Sequence, residues 1–182
     1  MKKWYTAVLI IALCLSLLIP TPAAAQGEDT RPAMATNNAI VVSSGTDTPD
    51  AHLVHPAVYK IDGCNYFRLR DVALLLNGSG KQFAVEYDGA SGSVMITTGK
   101  PYVAIGGELT GAAAESCSAA ISRDIVQIDG DPVTFTVFKI DGANYFRLRD
   151  LGKALDFHVG YEDETKTVSI SGARGYEEER TS

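Results

Sequence analysis

Val58-Tyr59-Lys60-Ile61-Asp62-Gly63-Cys64-Asn65-Tyr66-Phe67-Arg68-Leu69-Arg70-Asp71 returns 79 positions later (137 against 58) as Val137-Phe138-Lys139-Ile140-Asp141-Gly142-Ala143-Asn144-Tyr145-Phe146-Arg147-Leu148-Arg149-Asp150. Only Tyr59/Phe138 and Cys64/Ala143 differ, so the chain carries one structural unit twice. Each residue can therefore be tested against its twin. A polar group present in both copies answers to the fold, and one present in a single copy is a specialisation.

Working outward, Asp62-Gly63 and Asp141-Gly142 interrupt runs of β-branched and aromatic residues, the pattern of a tight hairpin whose turn demands positive φ. Leu69, Val72, Ala73 and Leu76 then fall at i, i+3, i+4 and i+7, as do Leu148, Leu151, Gly152 and Leu155, which predicts one face of a short helix in each copy. A helix of that length does not hold itself in water, so a sheet must cover its apolar stripe. In the second copy Ile125–Ile128, Val133–Ile140 and Asn144–Phe146 read as three strands joined by the turns at 129–132 and 141–142. Phe157, Val159 and Tyr161, then Val168 and Ile170, alternate as two more. Phe83, Val85, Tyr87, Val94 and Ile96 repeat this in the first copy, which carries a five-residue insertion placed at Asn77–Lys81.

The fold expected is α+β: two tandem units, each a five-stranded antiparallel sheet twisted around one short α-helix. They span 39–99 and 121–172, with a Gly/Ala/Ser-rich linker at 100–120, a disordered segment at 26–38 and a charged tail at 173–182. Units of this size bury only a marginal share of their surface, so packing against each other is expected to help them.

Lys2 and Lys3, the apolar run Ala7 to Ile19 and Ala23-Ala24-Ala25 have the form of a secretory signal over 1–25, with Gln26 first in the mature chain. The run is shorter than the ~20 residues of a spanning helix and ends at Pro20, so a secreted, extracellular protein with no membrane span after cleavage is expected. Loss of Lys2 and Lys3 leaves 14 Lys+Arg against 22 Asp+Glu, a net charge of −8. That balance argues against nucleic acid as a partner.

The run Tyr145 to Tyr161 and Thr167-Val168-Ser169-Ile170 resembles the copper amine oxidase N-terminal, or stalk, domain family: an aromatic, a Leu-Arg pair, a short Ala/Leu helix, a Val-x-aromatic-acidic strand and a Thr-Val-x-Ile strand. The resemblance covers about 39–99 and 121–172 and implies a five-stranded antiparallel sheet twisted around a helix. It does not imply oxidase chemistry. Asn65-Tyr66-Phe67 and Asn144-Tyr145-Phe146 lack the acidic residue and second tyrosine from which that family's quinone forms, so neither copper nor another cofactor is expected.

Metal chemistry has one candidate cluster, His52, His55 and Cys64, although rings three residues apart on a strand face opposite ways. Their twin positions are occupied by Asp131, Thr134 and Ala143, so the fold does not require them. Cys64 and Cys117 could bridge in an oxidising compartment. Asp71 and Asp150 stand in the first helical turn, where a carboxylate meets the positive end of the dipole, and the arginines shared by both copies, Arg68/Arg147 and Arg70/Arg149, are expected to pair with them or with Glu86 and Glu162 of the next strand. Tyr66, Arg68, Tyr145 and Arg147 are the candidate interaction face, since aromatic and guanidinium groups suit sugars and peptides. No nucleophile–base pair or phosphate loop is present. The expectation is a non-catalytic binding or spacer protein of the cell exterior, its partner a cell-wall polymer or a protein; the alternatives are an extracellular metal-binding protein or an accessory or inhibitor subunit of a secreted enzyme.

Overall fold

The structure is a computed structural model that describes residues 29–43, 52–112 and 114–178. The signal expected over 1–25 lies outside these residues. The two Asp-Gly turns are built as expected, with Asp62 and Gly63 at φ 47° and 81° and Asp141 and Gly142 at 48° and 77°. They close the hairpins β4 (Val58–Ile61) to β5 (Cys64–Arg68) and β11 (Val137–Ile140) to β12 (Ala143–Arg147). Each hairpin runs directly into its helix, α1 (Leu69–Leu75) or α2 (Leu148–Leu155). A strand pair follows each helix: β6 (Phe83–Asp88) and β7 (Ser93–Thr98), then β13 (His158–Glu162) and β14 (Thr167–Ser171).

The sheets depart from the expected α+β arrangement. The molecule is mostly β, and neither copy wraps its own five strands around its own helix. One sheet is a closed six-stranded barrel in the order β1-β4-β5-β12-β11-β8, where β1 is Thr30–Ala35 and β8 is Ser116–Ile121. Both copies contribute to it. The segment expected to be disordered at 26–38 and the expected linker at 100–120 thus each supply a barrel strand. The other two sheets are four-stranded, β10-β9-β7-β6 and β13-β14-β2-β3, with β2 Ala39–Ser43, β3 His52–Val54, β9 Ile125–Ile128 and β10 Asp131–Pro132. In the first of these β9 lies parallel to β7, and in the second β2 lies parallel to β14. The expected hairpin between Ile125–Ile128 and Val133–Ile140 does not form. β9 returns only as far as Asp131–Pro132, and β11 pairs with β12 and β8 instead. Alternation marks which residues are buried but not which copy of a duplicated strand lies alongside.

The exchange obeys a two-fold. β5 and β12 pair antiparallel with Phe67 opposite Phe146, and β1 and β8 pair with Pro32 opposite Ser118. Equivalent residues face each other only across such an axis. Phe67 and Phe146 are fully buried where it passes, in one core that gathers Leu69, Val72 and Leu76 from the first copy with Leu148, Leu151 and Phe157 from the second. A second cluster fills the barrel, where Tyr66 meets Phe138 edge-on at 5.0 Å and Tyr145 meets Tyr59 at 5.5 Å. The helices differ at one contact: Gly152 replaces Ala73, and a Cβ there would stand 2.8 Å from Val159 Cγ2, so α2 lies closer to its sheet than an alanine allows.

Since α1 packs against β12 of the second copy and α2 against β5 of the first, and each outer sheet takes a strand from both copies, the halves are expected to fold only together. Fragments 26–112 and 114–182, prepared separately, should give no cooperative monomeric melt and should recover the native circular dichroism on mixing. A folded monomer of either fragment, judged by light scattering and thermal denaturation, would contradict the exchange.

Candidate functional site: the paired clefts

The barrel and the helices leave two related clefts. Each is walled by the β-hairpin of one copy and by the helix start and outer strands of the other, a consequence of the two-fold. The cleft at α2, about 630 Å³, is lined by Lys60, Cys64 and Asn65 from the first hairpin, by Arg147 at the end of β12, and by Arg149 and Lys153 of the second helix. The cleft at α1, about 340 Å³, takes Lys139, Ala143 and Asn144 opposite Arg68 and Arg70. Both volumes fall in the range of small-ligand sites.

The clefts differ where the copies have diverged. Leu74, packed against the core beside the smaller cleft, becomes the exposed Lys153 in the larger, and Glu86 becomes Gly160. Both changes remove negative charge or add positive charge, so the larger cleft is the more cationic in a chain of net charge −6. An exposed tyrosine is common to both, Tyr161 in the larger and its twin Tyr87 in the smaller, and Tyr176 lines the larger alone.

The arginine–carboxylate pairs at the helix starts diverge as well. Asp71 is fully buried, accepting from the Ala57 amide at 2.7 Å, the Leu109 amide at 3.2 Å and Arg68 Nε at 2.8 Å. Arg68 also donates to the Gly107 carbonyl at 2.6 Å. Leu109 and Gly107 belong to a strap, residues 100–112, that lies over the first helix. Tyr102 fixes the strap by exchanging two hydrogen bonds with the Asn77 amide group, at 2.9 and 3.0 Å. Glu108 accepts from the Tyr102 hydroxyl at 2.6 Å and from the Ile105 and Gly106 amides. These donors, Tyr102 first, hold the Glu108 carboxyl down at about 2. Asp150 keeps its pairing with Arg147 at 2.5 and 2.9 Å, yet its side chain is 30% exposed.

Of the candidate interaction face, Tyr66 and Tyr145 are buried inside the barrel, and burial pushes the Tyr145 hydroxyl up to about 12. Neither ring is open to a ligand, because the residues alternate with Phe67 and Phe146 and the barrel takes the tyrosine face. Arg68 is engaged by Asp71 and the strap, and Arg147 alone of the four lines the larger cleft. The metal candidates are not assembled. His55 is exposed just beyond β3, Cys64 opens a barrel strand in a different sheet, and the His52 side chain lies outside the described set. Among the described residues no group of three or more His, Cys, Asp or Glu could hold a metal. Cys64 and Cys117 are free thiols, both half-buried against the barrel interior. Sequence reasoning missed Lys60, Asn65, Arg149 and Lys153, whose role follows from their meeting across the two copies.

A scan against protein-family models finds no match to this chain, and searches of curated proteins and of solved structures find none either. No helix among the described residues is long and apolar enough to cross a membrane.

Asp71→Ala strands Arg68, the buried Ala57 amide and the part-buried Leu109 amide, so it is expected to cost about 3 kcal/mol or more in urea-unfolding free energy. Asp150→Ala, which exposes its arginine to water, should cost about 1 kcal/mol or less. Equal costs would show that the strap adds nothing to the first pair. Glu108 is depressed in the folded state, so its contribution is present above the unfolded value of 4.5 and is lost as pH falls toward 2. Thermal midpoints measured across that window should fall less steeply in Glu108→Gln than in the natural chain; parallel curves would contradict this role.

Proposed function

We propose that this is an exported, non-catalytic binding protein of the cell exterior, with its ligand in the cleft at α2. One observation carries the reading: two clefts built from the same repeated sequence have diverged, the smaller lined by three Lys and Arg against two Asp and Glu, the larger, at about 630 Å³, by five against three. Divergence between two equivalent sites is the pattern expected when the fold constrains both and a ligand acts on one. The secretory form of residues 1–25 and the resemblance to stalk domains support a place outside the cell and a binding or spacing role on a wall polymer or surface protein.

The test is retention of the purified mature protein by envelope material from the producing cell. Saturable retention is expected, together with its loss in Lys153→Trp, which fills the mouth of the cleft from an exposed helical position. Retention that is absent, or unchanged in Lys153→Trp, would contradict the reading.

A further inference from the structure

The smaller cleft contains a closed polar group that shows what the larger one lacks. Asp124 accepts from Lys139 Nζ at 2.9 Å and from Asn144 Nδ2 at 2.8 Å, and Asn144 Oδ1 accepts from Ser122 Oγ at 3.4 Å. Burial alone would raise the Asp124 pKa, but Lys139 and Asn144 outweigh it and hold the carboxyl below its ordinary value. Every member of the group is satisfied, and the lysine also sits 5.8 Å over the Tyr87 ring.

The same four positions recur beside the larger cleft. Lys60 is the twin of Lys139 and Asn65 of Asn144, 79 positions apart. Thr36 is the twin of Ser122 and Asn38 of Asp124, at the spacing of 86 that also separates Pro32 from Ser118. The backbone confirms the second spacing, since the Thr36 amide donates to the Val58 carbonyl as the Ser122 amide donates to that of Val137. Three of the four residues keep their chemistry, and the carboxylate alone has become an amide. The consequence is visible in the hydrogen bonding: Thr36 Oγ1 and Asn65 Oδ1 are buried with no partner, and Lys60 has no ion pair among the described residues. Buried polar atoms left unpaired are costly and rare, and two at one place call for an occupant.

We propose that the cleft at α2 binds a carboxylate-bearing ligand, its carboxylate seated against Lys60 and Asn65 where Asp124 stands in the twin. A carboxylate there accepts from Lys60 Nζ and from Asn65 Nδ2. The amide is then turned as Asn144 is, with its Oδ1 free to accept from Thr36 Oγ1, so one ligand group answers both orphaned atoms. Asn38, Asn65 and Lys60 all line the cleft, whose charged lining of five Lys and Arg against Asp150, Asp163 and Glu178 is net positive, the sign that matches a carboxylate. The inference rests on the binding reading above and adds the chemical class of the ligand.

Thermal-shift titration tests it with glutarate, glucuronate, inorganic phosphate and glucose at matched ionic strength. Glutarate and glucuronate are expected to raise the melting temperature of the natural protein, and phosphate and glucose to leave it unchanged. Asn38→Asp restores the internal carboxylate, so it should melt higher without ligand and gain nothing from either carboxylate. Lys60→Gln, at an exposed position that the core does not use, should fold normally and bind the carboxylates roughly tenfold or more weakly. A response to phosphate but not to carboxylates, an undiminished response in Asn38→Asp, or no response to either carboxylate would overturn the proposal. Envelope retention that Lys153→Trp abolishes but glutarate does not compete would leave the binding reading standing and the carboxylate assignment refuted; absence of retention would remove the reading itself.

Discussion

Two helices of about two turns each cannot hold their shape unaided, and in this molecule the cover each one needs comes from both copies of the repeat. The first helix packs against β12 of the second copy and the second against β5 of the first, while β9 joins β7 in parallel and β2 joins β14. The remaining architecture follows from that exchange. The hairpins meet back to back through Phe67 and Phe146, the barrel closes on them, and no sheet belongs to one copy alone. A parallel strand needs a long connection, and here one connection runs through the strap and β8 while the other spans nearly the whole chain. The strands near the start of the chain therefore complete the unit at its end.

Duplication also supplies an internal control for function. A feature common to the two clefts, such as the arginine–carboxylate pair at each helix start, belongs to the architecture. The features that differ show where one copy was released from that constraint. Asp71 is sealed under a strap and its twin Asp150 stays in contact with solvent. Asp124 completes its own polar cluster, and its twin Asn38 leaves one incomplete. Both contrasts leave polar groups at the α2 cleft less completely enclosed than their twins at α1.

Much of the local structure was legible in the sequence. The Asp-Gly turns, the stripes of Leu69, Val72 and Ala73 and of Leu148, Leu151 and Leu155, and the outer strand pairs follow from periodicity and turn chemistry, which are properties of short segments. The pairing of those segments was not legible. Ile125–Ile128 carries the same apolar signature whether it lies beside its own copy or the other, and a parallel neighbour leaves no turn to betray it. The cleft was hidden for a related reason. At the spacing of 79 that makes the repeat visible, Asn38 aligns with Cys117; only the spacing of 86, which holds for the stretch before β3, brings it onto Asp124 and exposes the missing carboxylate. Tyr66 and Tyr145 misled because an aromatic beside an arginine reads alike on a surface and in a barrel wall.

The interlocked fold makes the two copies one cooperative unit, and native-state hydrogen exchange measures that directly. The slowest amides of β7 and β9, in one sheet, and of β2 and β14, in the other, are expected to exchange with a single free energy and a single denaturant dependence. Two separate plateaus, one for the strands of 39–99 and one for those of 121–172, would mean that each copy opens by itself and would contradict the exchange on which the clefts depend.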